Sequence, residues 1–224
     1  MKKYIWFAIL ILPALLMGKT FEIPVVAGNV EVPVVIQVGQ ILDMLPSDFD
    51  PDWESLTVKF GGSEVAFQID DVDGNGRISA LDHLVFLAKG KGAIVLSEEA
   101  PKAVKKVQPF FKIEKESAKW IVTTTDGTMK AEINEKGLIA VTKFGNVEGK
   151  IVDEVGIARV SGWPETTYYI DGKLGNHHEE TSGAFRTVSL KVLEPGPVAV
   201  GVVAHLKSER FSGLNQILVT YIFK

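Results

Sequence analysis

The apolar positions of this chain alternate with polar ones over short segments, and strands half-buried on one face produce that period. Residues 55–60 set Leu56, Val58 and Phe60 on one face against Thr57 and Lys59 on the other. Residues 21–38 are rich in β-branched side chains and broken by Pro24, Gly28-Asn29 and Pro33, which predicts two short strands around a turn. Residues 43–53, dense in Pro and Asp, form a loop. Gly61-Gly62 turns the chain into a further strand over 64–69. The unbroken apolar run Leu84-Val85-Phe86-Leu87-Ala88 is a buried strand, and with 93–96 it predicts a hairpin around Lys89-Gly90-Lys91-Gly92. Residues 97–109 read as a linker or crossing strand.

The second half uses the same vocabulary. Residues 120–125 and 128–134 flank Asp126-Gly127, a hairpin signal because Asp-Gly takes up the positive φ angles of a tight turn. Further strands are expected at 138–144, 151–160, 166–170, 185–193, 198–206 and 216–223, with Asp171-Gly172 and Pro195-Gly196-Pro197 as turns. The expected fold is therefore all-β, with two antiparallel β-sandwich-like units at 20–98 and 108–224. The pattern is still apolar at 217–223, where the sequence stops, so the second unit reads as incomplete or as part of a larger sheet.

The first segment sets the expected compartment. Lys2 and Lys3 precede an apolar run over 4–17, and Gly18 leads into Lys19-Thr20, the layout of a secretory signal peptide over 1–18. A retained anchor is the alternative. The run is shorter than the ~20 residues of a spanning helix and contains Pro13, which favours cleavage and leaves no membrane span in the mature chain. Lipidation of a lipobox cysteine is excluded, because the chain has no Cys; the same fact removes disulfides, thiolate metal sites and cysteine nucleophiles. The 24 Lys plus Arg against 28 Asp plus Glu include no dense basic cluster, so nucleic acid is not an expected partner.

One stretch carries specific chemistry. Asp71-Val72-Asp73-Gly74-Asn75-Gly76-Arg77-Ile78-Ser79-Ala80-Leu81-Asp82 matches the twelve-residue calcium loop in its spacing. Asp71, Asp73 and Asn75 stand at positions 1, 3 and 5, and Gly76 at position 6, where the chain turns sharply. Arg77 would give its carbonyl, Ser79 would bind directly or through water, and Asp82 would close the shell at position 12, with Ile78 tucked into the core. Hard oxygen donors wrapped around one point are what calcium needs to shed its hydration shell. Asp82 is shorter than the usual bidentate Glu, which lowers coordination number and suits the high calcium concentration outside cells.

The loop resembles those of EF-hands and dockerin modules, although a dockerin has two such loops, each followed by a helix, and this chain has one followed by a strand. The wider stretch, from Val65-Ala66-Phe67-Gln68-Ile69-Asp70 through the loop to Asp82-His83-Leu84-Val85-Phe86-Leu87-Ala88, resembles a segment of secreted β-sandwich proteins of bacteria and archaea. Several of those accompany polysaccharide-degrading systems. The resemblance implies an Asp-rich loop joining two strands of an N-terminal sandwich, with a β-supersandwich following it. His83 stands where an acid is expected.

Asn176-His177-His178-Glu179-Glu180 concentrates the nitrogen ligands, but adjacent residues of an extended segment face opposite ways, so an exposed polar loop is the favoured reading. The same stretch with Trp163, Tyr168 and Tyr169 could line a sugar cleft. No nucleophile elbow, phosphate-binding loop or dinucleotide fingerprint is present. No catalytic residue is assigned. The expected role is an exported calcium-binding module, non-enzymatic, for polysaccharide or a cell-surface protein, and a polysaccharide-active enzyme is the alternative.

Overall fold

The computed structural model describes residues 19–99, 107–155, 169–170, 173–174, 185–208 and 215–224. Most of them lie in antiparallel strands, as the alternating pattern requires. The first half contains β1 (Thr20–Val26), β2 (Val32–Gln37), the short helix α1 (Val38–Leu42), β3 (Asp52–Phe60), β4 (Ser63–Glu64), β5 (Phe67–Asp70), β6 (His83–Ala88) and β7 (Lys91–Ser97). These form two sheets, in the orders β1-β7-β3-β4 and β2-β6-β5. Ile23, Leu56, Val58, Phe60, Ile94 and Leu96 from one sheet meet Leu84, Phe86 and Ala88 from the other in a buried core.

The hairpin expected across residues 89–92 is not formed. β6 pairs with β2 and β5, whereas β7 pairs with β1 and β3, so the chain crosses between sheets at this point. The physical reason is burial: each strand is apolar enough to form one wall of the core, and placing both in one sheet would leave the opposite wall without them. The neighbouring crossover from β1 to β2 runs alongside, tied by Ala27 N–H to Gly90 O (2.7 Å) and Gly90 N–H to Gly28 O (2.8 Å). Helix α1 also departs from the expected strand-then-loop pattern, and Gln40 Oε1 accepts the Gln37 N–H at its start (3.2 Å).

The second half contains β8 (Phe111–Glu116), β9 (Lys119–Thr124), β10 (Met129–Asn134), β11 (Ile139–Phe144), β12 (Val147–Val155), β13 (Tyr169–Ile170), β14 (Lys173–Leu174), β15 (Phe185–Val192), β16 (Ala199–Ser208) and β17 (Asn215–Phe223). Strands β8 to β12 form a five-stranded meander, and β15-β16-β17 form a three-stranded sheet. The β9–β10 turn is longer than a two-residue loop. Gly127 alone takes a positive φ there, and Asp126 accepts hydrogen bonds from the Thr128 N–H and hydroxyl.

In the sheet β15-β16-β17 the central strand β16 is buried on both faces from Ala199 to Ala204. Val200, Val202 and Ile222 pack with Phe111, Val122, Ala131, Ile133 and Ile139 of the meander. The alternate residues, Ala199, Tyr221 and Phe223, pack with Val85 of β6 on the far side. The result is a stack of four sheets in which β2-β6-β5 and β15-β16-β17 are the inner layers. Accordingly β6 has Leu84, Val85, Phe86 and Ala88 all at 0% exposure, which explains its unbroken apolar run.

A polar clamp crosses the middle of this stack. Gln68 Oε1 accepts N–H groups from Val198 (3.3 Å) and Ala199 (3.0 Å), while its Nε2 donates to Asp70 (2.9 and 3.1 Å). The turn at Gly196 lies so close that a Cβ there would sit 1.9 Å from Gln68 Oε1. Among the described residues, no helix is long and apolar enough to cross a membrane. The proposed signal segment lies outside the described residues.

Gln68→Leu leaves two buried backbone N–H groups and one side of Asp70 unpaired, so urea unfolding should show a loss of about 2–4 kcal/mol. Gly196→Ala should destabilise as well by forcing the carboxamide away. Neutral behaviour of both would remove the clamp from the account. Hydroxyls of Thr128 and Thr124 hold the exposed Asp126 down to about 2, below its unfolded value, so its contribution is present above pH ~4 and fades toward pH ~2. Asp126→Asn should therefore flatten that part of the acid-unfolding profile.

Candidate metal centre

The loop 71–82 joins β5 to β6, which pair antiparallel from Phe67↔Phe86 to Asp70↔His83. Its two ends are thus fixed side by side at one end of an inner sheet. Helix α1 fixes it from a third direction: Val38 N–H donates to Asp82 O (2.8 Å) and Gly39 N–H to Ala80 O (3.0 Å). Gly39 allows this approach, since a Cβ would meet Ala80 O at 3.0 Å.

Within the loop, Asp71, Asp73 and Asp82 bring one carboxylate oxygen each within 4.8 Å of one another. Asp71 accepts the N–H groups of Gly74 (2.7 Å) and Asn75 (3.0 Å) on Oδ1 and that of Gly76 (3.1 Å) on Oδ2. Asp73 accepts Asn75 N–H (3.1 Å), Asn75 Nδ2 (2.9 Å) and the Ser79 hydroxyl (2.8 Å). Asp82 is 1% exposed and takes Val72 N–H (3.0 Å) on one oxygen and Ser79 N–H (2.8 Å) on the other. Each carboxylate oxygen has two lone-pair directions, so these bonds orient the acids and leave acceptor capacity for a cation. Gly74 and Gly76 have φ of 74° and 71°, the left-handed conformation that curls the loop onto itself.

Asp71, Asp73, Asn75, Ser79 and Asp82 therefore share one small curl, and the expected carboxylates converge. Asn75 Oδ1 receives Arg77 N–H at 2.6 Å. Ile78 does not tuck into the core: it is 42% exposed, and Val72 at loop position 2 is buried instead, against Leu193, Val203 and Val219. The difference follows from the context, because a strand and not a helix follows this loop, and the apolar surface available to it is that of β15-β16-β17. Three acids holding one hard, all-oxygen donor set fit a divalent cation of the calcium or magnesium type.

The surroundings include residues the sequence did not single out. Lys191 of β15 places Nζ 3.2 Å from Asp71 O and 3.8 Å from Asp71 Oδ2. Partial burial opposes ionisation of Asp71, but the Gly76 and Gly74 N–H groups and the Lys191 ammonium outweigh it and hold the carboxyl below its usual value. Behind the loop, burial pushes Asp70 up to about 6 against the pull of hydrogen bonds from Gln68 and Tyr221. Burial also raises the Tyr221 hydroxyl, with the Asp70 charge adding to it. His83 Nδ1 lies 3.0 Å from Tyr221 Oη, so the imidazole that stands where an acid is expected is engaged with β17. Burial lowers His83, against the opposing pull of Asp82. No short-range pattern ties Lys191 or Tyr221 to the loop in sequence; only the stacking of the two halves does.

Trp163, Tyr168, His177, His178, Glu179 and Glu180 lie outside the described residues, as does the side chain of Tyr169. No family model matches this chain, and no curated protein or solved structure matches it.

Removing Asp82 differs from removing Asp73. Asp82→Ala orphans two N–H groups beside the core and should cost about 2–4 kcal/mol even with chelator present. Asp73→Ala, on the exposed side of the curl, should cost less than about 1 kcal/mol under the same conditions. Equal costs in chemical denaturation would contradict the division between the framework acid and the outer acid.

Proposed function

We propose that this protein is an exported module that binds calcium at Asp71, Asp73, Asn75, the Arg77 carbonyl, Ser79 and Asp82, with the ion acting as a structural cation. The single observation that carries this reading is the convergence of three carboxylates within 4.8 Å on a loop whose spacing is that of a calcium loop. Without a cation the three negative charges repel one another, and Lys191 offsets them in part from the facing sheet. A bound divalent ion converts that repulsion into attraction and tightens the curl.

Tightening matters beyond the loop. Val72 is pinned by Asp82 through its N–H and packed into the facing sheet, and Asp71 holds Lys191 of that sheet. Calcium at this point thus supports the docking of the second half on the first, a role disulfides cannot fill in a chain with no Cys. The signal-like segment at 1–18 supports placing the protein outside the cytoplasm, where calcium is abundant. The resemblance to secreted sandwiches near polysaccharide-degrading systems supports a polysaccharide or a surface protein as partner, with binding rather than turnover as the task.

Thermal unfolding with excess calcium and with chelator tests the cation. Saturation at a hundred times Kd should add about 2.7 kcal/mol, a rise of several degrees in Tm. Asp71→Ala combined with Asp73→Ala should abolish the rise. An unchanged Tm with no calcium uptake in the parent protein would overturn the proposal. Lys191→Met should strengthen calcium binding by a few-fold, because it removes a competing positive charge worth about 0.5–1 kcal/mol at a half-exposed site. Affinity electrophoresis on a polysaccharide panel tests the partner: retardation that requires calcium supports a glycan module, and uniform mobility on every polymer contradicts it.

A further inference from the structure

We propose that Asn75 is a modification site, at which the side-chain amide is lost through attack by the Gly76 backbone nitrogen, leaving aspartate and isoaspartate at loop position 5. This goes beyond the calcium reading and does not depend on an ion. Of the asparagines at 29, 75, 134, 146, 176 and 215, only Asn75 is followed by glycine. Glycine has no Cβ to shield its nitrogen, and its backbone reaches conformations closed to other residues.

The structure adds three observations. Asn75 and Gly76 are exposed, so water and base reach the amide and the backbone nitrogen beside it. Arg77 N–H donates to Asn75 Oδ1 at 2.6 Å, which folds the side-chain carbonyl back along the backbone and places a donor where negative charge develops during attack. Gly76 N–H points to Asp71 Oδ2 at 3.1 Å, a nearby acceptor for the proton it must lose. Asn134 provides a comparison within the chain: its Oδ1 accepts Lys136 N–H at 2.9 Å in the same arrangement, but its next residue is Glu135, whose Cβ shields the nitrogen.

The chemistry balances without an oxidant or cofactor. The Gly76 nitrogen gives up its proton and bonds to Asn75 Cγ, and the carbonyl electron pair moves to Oδ1. Collapse breaks the Cγ–Nδ2 bond, and Nδ2 takes up that proton and leaves as ammonia. The product is a five-membered imide. Water then opens it at either carbonyl, giving aspartate with the original backbone or isoaspartate with an extra methylene in the main chain.

The full-length protein, kept folded at mildly alkaline pH with chelator, should be digested at intervals and its peptides weighed and fragmented. The peptide containing Asn75 should convert to a mixture of aspartate and isoaspartate while those containing Asn134 and Asn146 keep their amides. Gly76→Ala should slow the conversion several-fold. Because that residue has φ of 71°, where alanine is strained, Asn75→Gln serves as the second variant: its carbonyl is one methylene further away, so the five-membered ring cannot form and the amide should persist. Retention of the Asn75 amide in the folded protein while urea-unfolded chain loses it would overturn the proposal, as would equal conversion at Asn134 or in Asn75→Gln.

Discussion

Burial of strand β6 on both faces is the constraint from which the rest of the structure follows. Leu84, Phe86 and Ala88 complete the core of the first sandwich, and Val85 between them is equally inaccessible. A strand of this kind cannot be the outer layer of a free-standing sandwich without exposing apolar surface. Full burial of a valine or leucine side chain is worth about 1.5–3 kcal/mol, so leaving that face uncovered would remove a sizeable share of a marginal stability. The sheet β15-β16-β17 covers it, and because its central strand β16 is itself apolar on both faces, it passes the same demand on to the meander β8 to β12.

Polar groups set the register of that apolar contact. A hydrophobic face alone would tolerate sliding of one sheet over the other. Gln68, engaged by two backbone N–H groups of the opposite half and by Asp70, does not, because displacement would leave several buried polar atoms unpaired. Asp70, Tyr221 and His83 extend this fixed region to the edge of the loop. The acids at 71, 73 and 82 then stand at the rim of the joint, with Val72 inside it and Lys191 reaching back from the other side. A cation held there acts on the joint as well as on the loop.

Much of this was legible in the sequence because it is local. Alternation over residues 55–60 and 129–134 reports a strand with one buried face, and the spacing of Asp71, Asp73 and Asp82 reports a curl that brings acids together. What could not be read depends on partners distant in the chain. The run at 84–88 announces burial on two faces but does not say which strands supply the walls, and Lys89-Gly90, which reads as a hairpin turn, is a crossover between sheets. Ile78 fits the buried position of a loop followed by a helix, yet with a strand following, Val72 meets the apolar surface instead. The segment 111–116 gave little strand signal because Phe111 and Ile113 are its only apolar residues, and Lys112, Glu114, Lys115 and Glu116 make it read as solvated.

The central claim, that a cation in the 71–82 loop secures the docking of the two halves, is tested most directly by hydrogen exchange followed amide by amide with calcium and with chelator. Calcium should slow exchange in the loop and also at Val198 and Ala199, whose amides are held by Gln68 across the joint. Protection confined to residues 71–82, or none at all, would contradict the account.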